Sequence, residues 1–140
     1  MRVYFDASVI IASLLSPSGG SSKLFEYVKT GKLVGITSQT ALDEVLEKTE
    51  KIKKSKKEIE DFVAKSGLLV RKNIALKEIA PYKGLVDAED AHLLAGSELT
   101  NCTHLVSLDK KHLLRPEIQK RFLPLKIASP KDLLEEIVSD

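Results

Sequence analysis

The chain reads as an α/β protein in which a parallel sheet is covered by helices on both faces, a three-layer α/β/α arrangement. Three observations point there. Short runs of strand formers alternate with helical stretches from one end of the 140 residues to the other, the pattern of a parallel sheet with crossover helices. The connections are mostly short and punctuated by Gly, Pro and Ser. Two of the strand-like runs finish on an aspartate, Asp6 and Asp109, and such sheets place ligand sites beyond the carboxyl ends of their strands.

Arg2–Phe5 is an apolar run rich in strand formers, followed by a helical stretch from Ser8 to Leu15 that Ser16-Pro17-Ser18-Gly19-Gly20 interrupts. Ser22 is placed to cap a second helix carrying Leu24, Phe25 and Val28, which Gly31 stops. Leu33–Thr37 reads as a buried strand, and Ser38 caps a helix in which Leu42, Val45, Leu46 and Thr49 recur at helical spacing. A helix over Lys57–Ser66 presents Ile59, Phe62 and Val63 and ends at Gly67, and Leu68–Val70 begins a strand. Ile74–Ile79 fits either helix or strand. From Asp87 a helix runs through Ala91, Leu94 and Ala95 to Leu99, then a strand over His104–Leu108 and a short helix between Asp109 and Pro116. Leu125–Ala128 is the last strand, and Ser129-Pro130 opens the final helix, with proline at the first position where its missing N–H costs nothing.

At this length the chain is expected to form one domain, residues 1–140. An apolar fraction of 43% and a charged fraction of 30% describe a globular protein, neither disordered nor membrane-spanning. No apolar run approaches the roughly 20 residues that cross a bilayer. Asp6 also arrives too early for a secretory signal, so a cytoplasmic protein is expected. The lone Cys102 leaves no internal disulfide and no thiolate zinc cage, and reads as a packed cysteine. A net charge of +2 says little about partners, but its distribution says more. Residues 51 to 57 are lysine-rich and read as solvated surface, whereas Lys110, Lys111, His112 and Arg115 follow directly on Asp109, where they can meet phosphates.

In a parallel sheet, Asp6, Asp87, Asp90 and Asp109 gather at one edge, with Glu44 on the helix after the second strand. Acids brought within a few ångströms repel one another and raise each other's pKa values. A hard divalent cation removes that penalty, and oxygen-only ligands suit Mg²⁺ or Mn²⁺. Each acid also has a purely structural use. Asp6 and Asp109 can cap the helices that follow them, and Asp87 can cap with Asp90 near the positive end of the helix dipole. Periodicity does not choose Glu44 over Asp43, Glu47 or Glu50 on its helix.

Four segments in order, Val3-Tyr4-Phe5-Asp6-Ala7-Ser8, Ala41-Leu42-Asp43-Glu44-Val45, Asp87-Ala88-Glu89-Asp90-Ala91-His92-Leu93-Leu94-Ala95 and Leu105-Val106-Ser107-Leu108-Asp109, together resemble the PIN-domain family. The likeness is nearest to the VapC-like toxin branches of bacteria and archaea. It runs from Arg2 to Asp109, and it is carried by the order and spacing of the four, since no one of them is specific. It implies a five-stranded parallel sheet between helices. It also implies a metal-dependent endoribonuclease whose catalytic acids fall on Asp6, Glu44, Asp90 and Asp109, with Asp87 as an additional metal ligand. Ser8 and Ser107 stand where hydroxyls orient a carboxylate or water from behind the ligands. Relatives of this branch are often dimeric and inhibited by a small partner protein, so a homodimer and an antitoxin partner are implied beside the RNA substrate.

The implied reaction is hydrolysis of a phosphodiester at the 3′ oxygen, leaving a 5′-phosphate, with no nucleophilic side chain required. His92, counted around a helical wheel, faces away from Asp90, and His104 begins a strand at its far end; both read as structural, while His112 is near enough to Asp109 to touch substrate. Two alternatives compete. Phe5-Asp6 after an apolar strand also resembles haloacid-dehalogenase-type phosphatases, but those want a second aspartate two residues on, where this chain has Ser8. A non-catalytic RNA-binding or protein-interaction domain on the same scaffold is opposed by the intact set of acids.

Overall fold

The computed structural model describes residues 1–139. Five strands, β1 (Arg2–Phe5), β2 (Val34–Ser38), β3 (Leu69–Arg71), β4 (His104–Val106) and β5 (Lys126–Ala128), form one sheet in the order β3-β2-β1-β4-β5. Every pairing is parallel, with Val3 opposite Gly35 on one side and His104 on the other. Chain order therefore reverses at β1, where β2 and β3 build outward one way and β4 and β5 the other. The crevice between the carboxyl ends of β1 and β4 is the topological switch point.

Both faces of the sheet are covered, so β1 buries all of Val3, Tyr4 and Phe5. Because successive side chains alternate faces, Val3 and Phe5 join Val106 under the helices α1 (Ala7–Leu15), α2 (Gly20–Lys29), α3 (Gln39–Leu46) and α5 (Lys56–Ser66), with α4 (Thr49–Ile52) and α9 (Pro130–Ser139) completing that layer. Phe5, Phe25 and Phe62 pack tilted and edge-to-face within it, with ring centroids 5.1 and 5.3 Å apart. Tyr4 and Leu105 point the other way, into a second core with Leu93 and Leu94 of α7 (Ala91–Leu99), Tyr82 just after α6 (Leu76–Ile79), and Ile118 of α8 (Pro116–Arg121). Gly96 lets α7 lie directly on β1, because a Cβ there would run into the Tyr4 ring. Among the described residues no helix is long and apolar enough to cross a membrane.

The elements follow the sequence reading with instructive shifts. Ser22 does not cap α2, which starts at Gly20; its hydroxyl donates instead to the carbonyls of Ser13 and Ser16 at the end of α1. The helix after β2 stops at Leu46, and Thr49 opens the separate turn α4, which ends where Lys53 takes φ 60°. Ser55, with Glu58, forms the capping box of α5. The ambiguous segment at residues 74–79 resolves as the one-turn helix α6. Asp87 lies ahead of α7, not at its cap: it holds a turn, accepting from the Glu89 N–H, and Asp90 stands at the N-cap. β4 ends at Val106 and not at Leu108, and no helix forms between Asp109 and Pro116. That stretch is turns, pinned by fully buried Leu113 and by Asp109 Oδ1 accepting from the His112 N–H.

Candidate functional site

The switch point gathers acids from three parts of the chain. Asp6 leaves β1 and is buried, with 7% exposure. Its Oδ2 accepts from Ser107 Oγ at 2.7 Å and from Ser8 Oγ at 2.9 Å. Each serine oxygen also accepts a backbone N–H of the following loop, Ser107 from Asp109 and Ser8 from Leu108. The two hydroxyls thus clamp the turn after β4 onto the start of α1, which is why β4 gives up its ladder after Val106. Burial pushes the Asp6 carboxyl above its ordinary value, the Ser107 and Ser8 hydroxyls oppose that, and the charge on Glu44 adds to it.

Asp90 and Asp109 come together with His112, each offering an atom within 4.8 Å of the others. His112 Nδ1 lies 3.2 Å from both oxygens of Asp109, and its Nε2 is 3.6 Å from Asp87 Oδ2, so the imidazole sits between two carboxylates. Asp90 is pushed up to about 7, first by burial and then by the charges of Asp109 and Asp6. A carboxyl titrating there marks a place where negative charge is costly.

On the other side of Asp90 a cleft of about 450 Å³ is lined by Asp6, Glu44, Glu47, Lys48, Glu89, Asp90, His92 and Leu93. Of the acids on α3 and just after it, Glu44 and Glu47 reach this cleft. Asp43 instead pairs with Gln39 and Asn73. Asp6 and Glu44 line the cleft but stand outside the tight group of Asp90, Asp109 and His112, as does Asp87. Lys110, Lys111 and Arg115 are exposed along the turns after Asp109, with Arg115 paired to Glu117.

Three cleft residues, Lys48, Glu89 and His92, carried no functional role in the sequence reading. Lys48 lies four positions after Glu44 and Glu47, weighed beside Glu44, three, so both share its face, a spacing that was there to be read. His92 corrects an expectation. Expected to face away from Asp90, it lines the same cleft as Asp90, and its Nε2 is 2.7 Å from Glu44 Oε1. The wheel describes only α7, whereas His92 reaches across to α3. His104 is structural as expected, bonded to Thr103 and Glu136 at the opposite end of the sheet.

An all-parallel five-stranded sheet between helices, with acids gathered at its switch point, defines the class. Within it, the family assignment is direct: the PIN-domain family model matches residues 2–111, and the chain belongs to that family. Among solved structures, VapBC2 from Rickettsia felis bound to a DNA fragment from their promoter is similar, with a TM-score of 0.63 at 15% identity. The match covers 92% of this chain and 98% of that one, and it shows the same fold. Comparison with curated proteins gives no match.

Proposed function

We propose that the chain is a Mg²⁺- or Mn²⁺-dependent endoribonuclease that hydrolyses RNA phosphodiester bonds and serves as the toxin of a toxin–antitoxin pair. One observation carries the reading: Asp90 is held half-buried beside Asp109 and Asp6, and burial first, then their like charges, push it up to about 7. The donor set fits a hard divalent cation. Asp90 and Asp109, with Asp6 and Glu44 from the adjoining cleft, offer the oxygen ligands that Mg²⁺ and Mn²⁺ prefer, and Asp87 is a further candidate. A bound cation would supply a Lewis acid that lowers the pKa of water and offsets charge on the phosphate.

The chain's own residues do the rest. Ser8 and Ser107 hold Asp6 by Oδ2, so its other oxygen is turned to use without rotation of the carboxylate. Lys48 brings a positive charge to the cleft wall, where a phosphodiester needs one. Lys110, Lys111 and Arg115 track the flanking phosphates of a single strand. Membership of the PIN-domain family supports a nuclease, and the likeness to VapBC2 supports a small antitoxin protein as partner. On this reading residues 1–140 form one such domain, working in the cytoplasm as a homodimer.

Purified protein with Mn²⁺ should cleave single-stranded RNA, and excess EDTA should stop it. Asp6→Asn keeps shape and removes charge, and should lower the rate by at least ~10²-fold, a loss on the scale of one essential electrostatic group. Asp43→Asn, outside the cleft lining and hydrogen-bonded elsewhere, should retain most activity. A contaminating nuclease would survive both changes. Equal rates in wild type and a folded Asp6→Asn would end the assignment.

A further inference from the structure

His92 is the second residue of α7 and only 6% exposed, set into a cleft whose other walls are mostly charged. Its two ring nitrogens are in contrasting states. Nε2 meets Glu44 Oε1 at 2.7 Å, while Nδ1 is buried with no hydrogen-bond partner among the described residues. An ionised carboxylate can only accept, so the short contact requires the hydrogen on Nε2. Nδ1 is then a bare lone pair. That is the less costly state for a sealed nitrogen, since a buried N–H without an acceptor forfeits a full hydrogen bond. A nitrogen that already carries a hydrogen cannot ligate a cation, and the other nitrogen is closed off. His92 therefore acts on the cleft only through Glu44.

Glu44 has need of such a hold. Its side chain is 44% exposed and leaves the middle of an eight-residue helix on three rotatable bonds, so fixing it costs rotamer entropy. A buried donor fixed in α7, close to the N-cap Asp90, supplies a stationary point across the cleft. We infer that His92 is a positioning residue that fixes the Glu44 carboxylate by donating Nε2–H to Oε1, leaving Oε2 as the oxygen presented to a bound cation. This arrangement couples α3 to α7 through a single hydrogen bond and sets the width of the cleft between Glu44 and Asp90. The inference rests on the metal-binding part of the proposed function and is independent of RNA as the substrate.

Two measurements decide it. In metal-free wild type, long-range ¹H–¹⁵N spectra of the imidazoles should place the His92 proton on Nε2, and Glu44→Gln should shift that resonance. A proton on Nδ1 would overturn the assignment whatever the metal data show. Calorimetric titration with Mn²⁺ alone should then show about a tenfold loss of affinity in His92→Leu, at the low end for removing the partner that orients a ligand. His92→Gln restores a donor at a similar reach and should recover most of that loss. With Glu44 already replaced by Gln, removing His92 should change Mn²⁺ affinity less than about twofold, since coupled residues share one effect. Should His92→Leu not fold, the His92→Gln and Glu44→Gln titrations and the spectra still decide. Wild-type affinity in folded His92→Leu, or the same tenfold loss in the Glu44→Gln background, would make the histidine merely structural. A protein that meets all these expectations but cuts no RNA would retain the positioning role and lose only the ribonuclease reading.

Discussion

At the end of the sheet where the strands begin, Glu136 of α9 accepts from His104 Nε2 at 2.5 Å and from Lys126 Nζ at 3.0 Å. Lys126 first, and then His104, hold the Glu136 carboxyl below the usual carboxylate range. At the end where the strands finish, Asp6 and Asp90 lie near Asp109, and both are shifted the other way. One sheet thus ends in an acid matched by its own chain and, at the other end, in acids that burial and like charge make costly. The first arrangement is what stability asks for. The second holds charge where the fold gains nothing from it, and that is the arrangement to test for chemistry.

The largest expected break in this contrast comes from pH. Folding raises Asp90 from 3.8 to about 7, so between those values the folded chain holds a proton that the unfolded chain has released. The stabilisation is fully present below the lower value and is lost as pH rises through the upper one. Relative to Asp90→Asn, metal-free wild type should lose roughly 3–6 °C of Tm between about pH 5 and about pH 8. Saturating Mn²⁺ should reverse the loss in wild type alone. Parallel melting profiles for the two proteins would remove the repulsion from the account.

Between the extremes lies the basic stretch after Asp109. Replacing Lys110, Lys111 and Arg115 together with Ala should leave the exposed turns folded and flatten the dependence of RNA affinity on log salt by up to about 2. An unchanged slope returns the three to ordinary surface. The smallest effect belongs to the satisfied end. Because Glu136 is lowered, its contribution is present above the ordinary 4.5 and fades as pH falls through the folded value. Glu136→Gln should cost about 0.5–1 kcal/mol at neutral pH and almost nothing in acid, with Mn²⁺ affinity untouched. A change in metal binding there would mean that the two ends communicate.

Much of the architecture could be read in advance because both determinants are local. The alternation of strands with helices fixed the parallel sheet, and the doubly buried run Val3-Tyr4-Phe5 put Asp6 at a strand end. What escaped depends on contacts between distant residues. β4 stops short of Leu108 because Ser8, a hundred positions earlier, takes the Leu108 N–H. No sequence window contains that competition. The turns between Asp109 and Pro116 replace an expected helix for a similar reason, since Leu113 is drawn into the second core. His92 meets Glu44 on α3, 48 positions earlier, and a helical wheel shows only neighbours on the same helix. Lys48 was legible at its spacing from Glu44 and passed over as one more lysine.

The serine clamp on Asp6 has a consequence for how the protein comes into being. A chain made from its amino end contains Asp6, Glu44 and Asp90 well before Ser107 exists. Until that serine arrives, Asp6 has only Ser8 to hold it, and the sheet ends at β1, whose open edge waits for β4 and then β5. Closing a contact over a hundred residues is entropically the late step. The acids are therefore brought to working distance only after most of the polypeptide has been synthesised, and a prematurely ended chain carries the residues of the site without the site.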